Sequence, residues 1–334
     1  MSKAPNKMLF MTILMLSTII SSTTNSWLGV WLGLEINLLS FIPMMSDIKY
    51  NSNISSIKYF IIQTMASISL LTSYIIHMIN INIYLNLELN LLSIAILMKM
   101  GAAPLHFWFP EVMENISWLN CLMLMTWQKL APMIVLFYLH PNMIIMMTFI
   151  IMSAMIGAIM GMNQTSLRMI LAYSSINHIG WMITALQVSF STWLIYISIY
   201  SILNMIICSI FEINNVNSIK EIFTKNNNKI NSLSVMISVL SLGGMPPLLG
   251  FVPKWILMQD LVMKHLYIQL IYLIISTTLT LYFYLKMFSS ASLIFIKENK
   301  WMINLNNMLK MEKIMIIMNL ISSLGLCLSM LIMK

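Results

Sequence analysis

A chain of 334 residues would make two ordinary soluble domains of about 150 residues each, but its composition excludes them. Hydrophobic residues make up 59% and charged residues 8%, against about a quarter charged in soluble domains, so polar groups cannot cover its surface. The net charge of +8 would suggest nucleic acid in a soluble protein; in a chain this apolar, no nucleic-acid partner is expected and the excess reports membrane topology.

An all-α polytopic membrane protein is therefore expected, with lipid as its main surroundings. A membrane span needs about 20 mostly apolar residues. In chain order such runs fall at Met8–Thr24, Trp27–Met45, Ile57–Ile79, Leu87–Pro110, Ile116–Leu139 and Met143–Met162. They continue at Leu167–Val188, Trp193–Ile213, Leu233–Leu261, Leu266–Phe288 and Ile314–Met333, which makes about eleven transmembrane helices. Lys3 and Lys7 precede the first run, but no small-residue cleavage site follows it, so it reads as a retained helix. The connectors are short and Asn-rich; Asn214–Ser232, containing the Asn226–Asn228 filler, and Ser289–Lys313 are the longest.

Eleven spans place the termini on opposite sides. Thirteen of the eighteen basic residues then fall on the N-terminal side, among them Lys49, Lys58, Arg168, Lys220, Lys225 and Lys229. Only Lys264 and Lys334 fall on the other side. The N-terminus should face the inner compartment and the C-terminus the outer one. Cys121, Cys208 and Cys327 are isolated within apolar runs and read as buried small hydrophobes, not metal ligands or disulfides. The 36 Met and a single Arg against 17 Lys fit an AT-rich organelle genome.

Two spans are interrupted by helix breakers. The fourth contains Gly101, Pro104, Leu105 and Pro110, and a shift of 143 residues superposes these on Gly244, Pro247, Leu248 and Pro253 of the ninth. The two are five spans apart, an odd number, so they run in opposite directions. Paired broken helices in inverted repeats are a transporter signature, with the ion path near the breaks. The expected organisation is one membrane domain. Residues 8–140 form a first inverted five-helix repeat, 143–288 a second, and 314–333 a final transmembrane helix. Two proline kinks in a passive bundle would give the same letters.

Charges inside the spans are the candidates for chemistry. Glu35 lies eight residues into the second run, about 12 Å deep at 1.5 Å per residue. Lys99 precedes the first break, Lys254 follows the second, and Lys129 stands in Trp127–Pro132, where Pro132 frees the Gln128 carbonyl. A charge at the bilayer centre costs roughly 2.5–3.5 kcal/mol, so these groups must pair or meet water. Burial favours neutral forms and pairing favours charged ones, and a lysine held between the two exchanges protons when a neighbour moves. Snorkelling is the plain alternative, weakest for Lys129 and strongest for Lys254. His106 and His178 sit beside these elements, either as core histidines or as relay members. Glu111 and Glu114 fall in a connector, where a solvated or subunit-facing role is expected. No Gly-rich dinucleotide loop, P-loop, HExxH or iron–sulfur cysteine cluster occurs, so no bound cofactor or metal is expected in this chain.

Several segments together resemble a known family. Trp31–Pro43, Lys99–Glu111, Trp127–Pro132, Asn177–Trp181 and Ser241–Trp255 are similar to the subunit 2 family of mitochondrial NADH:ubiquinone oxidoreductase, respiratory complex I. The similarity runs from about residue 25 to 290, and the span count matches the short animal form, which lacks three helices of the bacterial one. The resemblance implies an antiporter-like, proton-translocating subunit of the membrane arm in the mitochondrial inner membrane. Its partners would be other membrane-arm subunits, including neighbouring antiporter-like ones. NADH, FMN, iron–sulfur clusters and ubiquinone would be used elsewhere in the complex. It also implies that Glu35 and Lys99 are the family's ion pair, Lys129 its central lysine and Lys254 the lysine near the exit. The inner side becomes the matrix and the outer side the intermembrane space. Leu242 stands where the internal shift would put a mate for Lys99. A stand-alone cation/proton antiporter and a non-conducting bundle are the competing readings; the missing helices disfavour the first and the buried lysines the second.

Overall fold

The computed structural model describes residues 3–46, 50–79, 85–219, 221 and 229–295. The eleventh run, Ile314–Met333, lies outside the described residues, as do Cys327, Asn226–Asn228, Lys49, Lys220, Lys225 and the basic residues from Lys297 onward. Within them the named elements are all helices: α1 (Lys3–Thr23), α2 (Trp27–Met45), α3 (Tyr50–Met78), α4 (Leu85–Met100), α5 (Trp108–Glu114), α6 (Trp118–Met125) and α7 (Trp127–Leu139). There follow α8 (Met143–Gly161), α9 (Leu167–Val188), α10 (Phe190–Ile213), α11 (Lys229–Gly243), α12 (Phe251–Met263) and α13 (Tyr267–Phe295). Each of the first ten apolar runs is thus helical, and six stretches among the described residues are long and apolar enough to cross a membrane.

Local chemistry sets the ends. Ser26 starts α2 by accepting from Gly29 N at 3.2 Å. Ser189 does the same for α10 from Thr192 N at 3.2 Å, which places that helix start three residues before the Trp193 expected from hydrophobicity alone. In-helix hydroxyls are satisfied internally: Ser17 donates to Leu14 O at 2.7 Å and Ser241 to Ser238 O at 2.6 Å. Such bonds let serine sit where no water can reach. Large apolar side chains point outwards, Ile144 being 79% exposed, while Asn37, Gln63, Lys99 and Lys129 are buried. That inversion is the surface of a protein solvated by lipid.

Packing divides the chain into two compact units, Met1–Ser153 with His178–Gln187, and Ala154–Asn177 with Val188–Lys334. In the first, α1 lies along α2, α3 along α4, and α4 against α7, around Phe41, Met45, Ile96 and Phe109. In the second, α10 packs on α11 and α12, and α11 on α13. There the C-terminal part of α8 meets α9 through Gly157, where a Cβ would come within 2.6 Å of Asn177 N and 2.7 Å of Tyr173 O. Only glycine permits that backbone approach.

Candidate functional site

The two helix breaks share one local design. Gly101 and Gly244 stand at φ +74° and +83°, a left-handed conformation that glycine adopts without a Cβ clash. Each closes its helix with paired hydrogen bonds: Gly101 N donates to Met98 O and Ala102 N to Leu97 O, at 3.1 and 3.0 Å. Gly244 N donates to Ser241 O and Met245 N to Leu240 O, at 3.1 and 3.5 Å. The next helix opens alike, with Phe109 N on His106 O and Val252 N on Leu249 O, at 2.9 and 3.2 Å. All three bonds repeat at the 143-residue offset read from the glycines and prolines.

At the first break, α3 and the broken helix itself hold the freed carbonyls. Gln63 Nε2 donates to Lys99 O at 3.2 Å, and Trp108 Nε1 to Met98 O at 3.3 Å. Lys99 is 7% exposed, and Glu35 of α2, half-buried, belongs to the same compact unit. Tyr59 of α3 is buried between the rings of Phe41 and Trp108. Lys129 of α7 is 2% exposed and lies 5.3 Å from the centroid of Phe109, over a ring face that attracts an ammonium. Lys99 and Lys129 line one cavity, together with Asn37, Tyr59, Gln63 and Gln128. The structure thus gathers Glu35, Lys99 and Lys129 within one unit.

The span carrying Lys129 is itself interrupted, which hydrophobicity did not foretell. The α6 helix stops at Met125, and Thr126 bends the chain before α7 while its hydroxyl donates to Leu122 O at 2.7 Å. Lys129 N then bonds Thr126 O at 3.2 Å, a tight i to i−3 turn. Pro132, one turn on, was the available signal, since proline kinks a helix on its N-terminal side.

Lys254 belongs to the second unit, on α12. It is 4% exposed and turns back on the break, its Nζ donating to Gly243 O at 2.9 Å. Its counterpart at the first break, Glu111, has the opposite fate. It sits on α5 rather than in a connector, and pairs with Lys58 at 2.6 Å with both side chains about half exposed. His106 lies buried inside the first break, Nδ1 at 3.2 Å from Pro104 O and its ring stacked on Phe107. His178 is buried on α9, in the stretch belonging to the first unit. Neither histidine lines the cavity shared by Lys99 and Lys129. Sequence reasoning passed over Glu88, which is buried in the first turn of α4, where a carboxylate complements the helix dipole. Its eleven-residue spacing from Lys99, three helical turns, could have drawn attention to it.

Comparison with known proteins bears on this arrangement. Residues 24–280 match the family described as NADH:quinone oxidoreductase/Mrp antiporter, TM. The "NADH-ubiquinone oxidoreductase chain 2" of Locusta migratoria is 45% identical over 329 residues, covering 96% of this chain and 95% of that one. The chain belongs to the NADH-ubiquinone oxidoreductase chain 2 family. Its Anopheles gambiae relative of the same name is 44% identical over 336 residues, covering 98% of this chain and 97% of that one. In three dimensions this member of the chain 2 family is similar to a chain of respiratory complex I from Thermus thermophilus, with a TM-score of 0.84 at 19% identity. The likeness covers 98% of this chain and 79% of the longer bacterial one. Its antiporter-like membrane fold is shared at that distance.

Proposed function

We propose that this chain is a membrane-arm subunit of proton-pumping NADH:ubiquinone oxidoreductase, respiratory complex I, and moves protons through its buried Glu/Lys groups. The observation that carries the reading is the pair of buried lysines, Lys99 and Lys129, lining one cavity at a broken helix in the compact unit that also holds Glu35. Burying an amine in its charged form costs several kcal/mol, so two amines at one buried cavity fit groups that gain and lose protons better than groups held permanently charged. A proton path needs groups of this kind.

In this reading Lys99 keeps its proton while Glu35 is near. Weakening that contact releases the proton towards Lys129, and Lys254 is the exit group. His106 and His178 are subsidiary relay members. Electron transfer from NADH to ubiquinone, with its FMN and iron–sulfur clusters, belongs to other subunits; this chain supplies the translocation step of the enzyme. Its partners are the other membrane-arm subunits, including neighbouring antiporter-like ones. The matching hydrogen bonds at the two breaks support inverted repeats over 8–140 and 143–288, within about eleven spans completed by 314–333. The distribution of lysines supports a matrix N-terminus and an intermembrane-space C-terminus in the mitochondrial inner membrane.

Replacing Lys129 by Met keeps the apolar stem and removes the titrating amine. The Lys129→Met complex should assemble, with proton translocation and coupled quinone reduction reduced by about tenfold or more. Lys286→Met, at an exposed position, should change neither. Unchanged protons per electron in an assembled Lys129→Met complex would make that lysine a structural cation.

A further inference from the structure

The cavity between Lys99 and Lys129 is spanned by uncharged polar groups that the relay does not name. Gln128 is one of them. Its Nε2 donates to Asn37 Oδ1 at 2.9 Å, and its Oε1 faces Tyr59 OH at 3.5 Å. Asn37 lies two residues after Glu35 on α2, and Gln128 lies immediately before Lys129 on α7. One amide thus ties the helix that carries the acid to the helix that carries the central lysine. Asn37 and Tyr59 are each 3% exposed, so neither has bulk solvent to bond instead. The centre of a water molecule can occupy about 20 Å³ of this cavity, which is room for one.

We propose that Gln128 is a positioning residue: its bridge between Asn37 and Tyr59 fixes the gap through which a proton passes from Lys99 to Lys129. The inference rests on the relay proposed above. The ammonium of Lys99 gives a proton to a water molecule in the cavity, and that water gives one to the neutral amine of Lys129. Only N–H and O–H bonds break and form, and the amide itself keeps its protons throughout. An amide suits the place because it both donates and accepts while carrying no charge. A carboxylate there would hold a proton on either lysine and stall the transfer. Because the bridge joins α2 to α7, a shift of Glu35 also resets the transfer distance.

The test uses the assembled complex in sealed membranes and measures the rate of NADH-driven proton translocation across pH 6 to 9. Gln128→Met fills the same space without hydrogen bonds, and should slow translocation by about tenfold. Asn37→Leu cuts the same bond from the other helix and should give the same defect; the double variant should be no worse than either single one. Gln128→Glu should introduce a titration absent from the parent, with the rate falling as the new carboxylate ionises. That pH step would place position 128 beside the proton path, and the matching defects of Gln128→Met and Asn37→Leu would assign the role to the bridge. If Lys129→Met loses translocation while Gln128→Met and Asn37→Leu keep the parental rate and pH profile, the positioning role is overturned and the relay stands. If Lys129→Met leaves translocation intact, the relay falls, and this inference with it. Should Gln128→Met fail to assemble, Asn37→Leu and Gln128→Glu decide.

Discussion

Single residues at the two breaks are asymmetric in ways the repeated pattern conceals. Glu111 and Lys254 occupy equivalent positions, yet one is half exposed on Lys58 and the other is buried on Gly243 O. Exposed ion pairs contribute about 0–1 kcal/mol, so Glu111→Gln should shift the thermal midpoint of the assembled complex only slightly and leave its turnover unchanged. Gly250 is the opposite case. A Cβ added there would lie 1.8 Å from Ser241 O, a backbone atom that cannot move aside alone. Gly250→Ala should displace the segment that carries Lys254 and destabilise it by about 1–3 kcal/mol, read as a lower unfolding temperature together with slower translocation.

The elements that matter most are the ones that stop early. Without their breaks, α4 with α5 and α11 with α12 would each be one continuous helix. The signals for stopping, a left-handed glycine followed by prolines, were legible in the sequence because they are local. Forcing alanine into the left-handed conformation costs about 1–2 kcal/mol, so Gly101→Ala and Gly244→Ala should each lower stability by that amount in a chemical unfolding or assembly assay. Gly157→Ala, by contrast, should act through the α8–α9 contact and not through backbone strain. The bend at Thr126 was legible only through Pro132, since mean hydropathy across Trp118–Leu139 stays high throughout.

At the scale of the whole molecule, the charge distribution is what the proposed topology rests on. In that proposal basic residues collect on one side because moving them across a bilayer during insertion is costly, whereas Lys99, Lys129 and Lys254 are buried in protein. The proposed orientation predicts that the Asn214–Ser232 segment, with Lys220, Lys225 and Lys229, is labelled only from the matrix face. Labelling of that segment from the intermembrane face of intact mitoplasts would reverse the topology and, with it, the direction assigned to the relay.

Composition alone determined that this chain lives in lipid, and hydrophobic runs placed ten helical regions, because both depend on transfer free energies summed over neighbouring residues. The helix breakers determined where two of those regions are cut. Tertiary structure decided what the charged residues meet. It brought Glu35, Lys99 and Lys129 from three helices into one unit, buried Lys254 on a carbonyl, turned Glu111 outwards and set Gln128 between Asn37 and Tyr59. Those contacts link residues as far apart as Asn37 and Gln128, and no local preference encodes them; they arise only where helix packing leaves polar groups no water to bond.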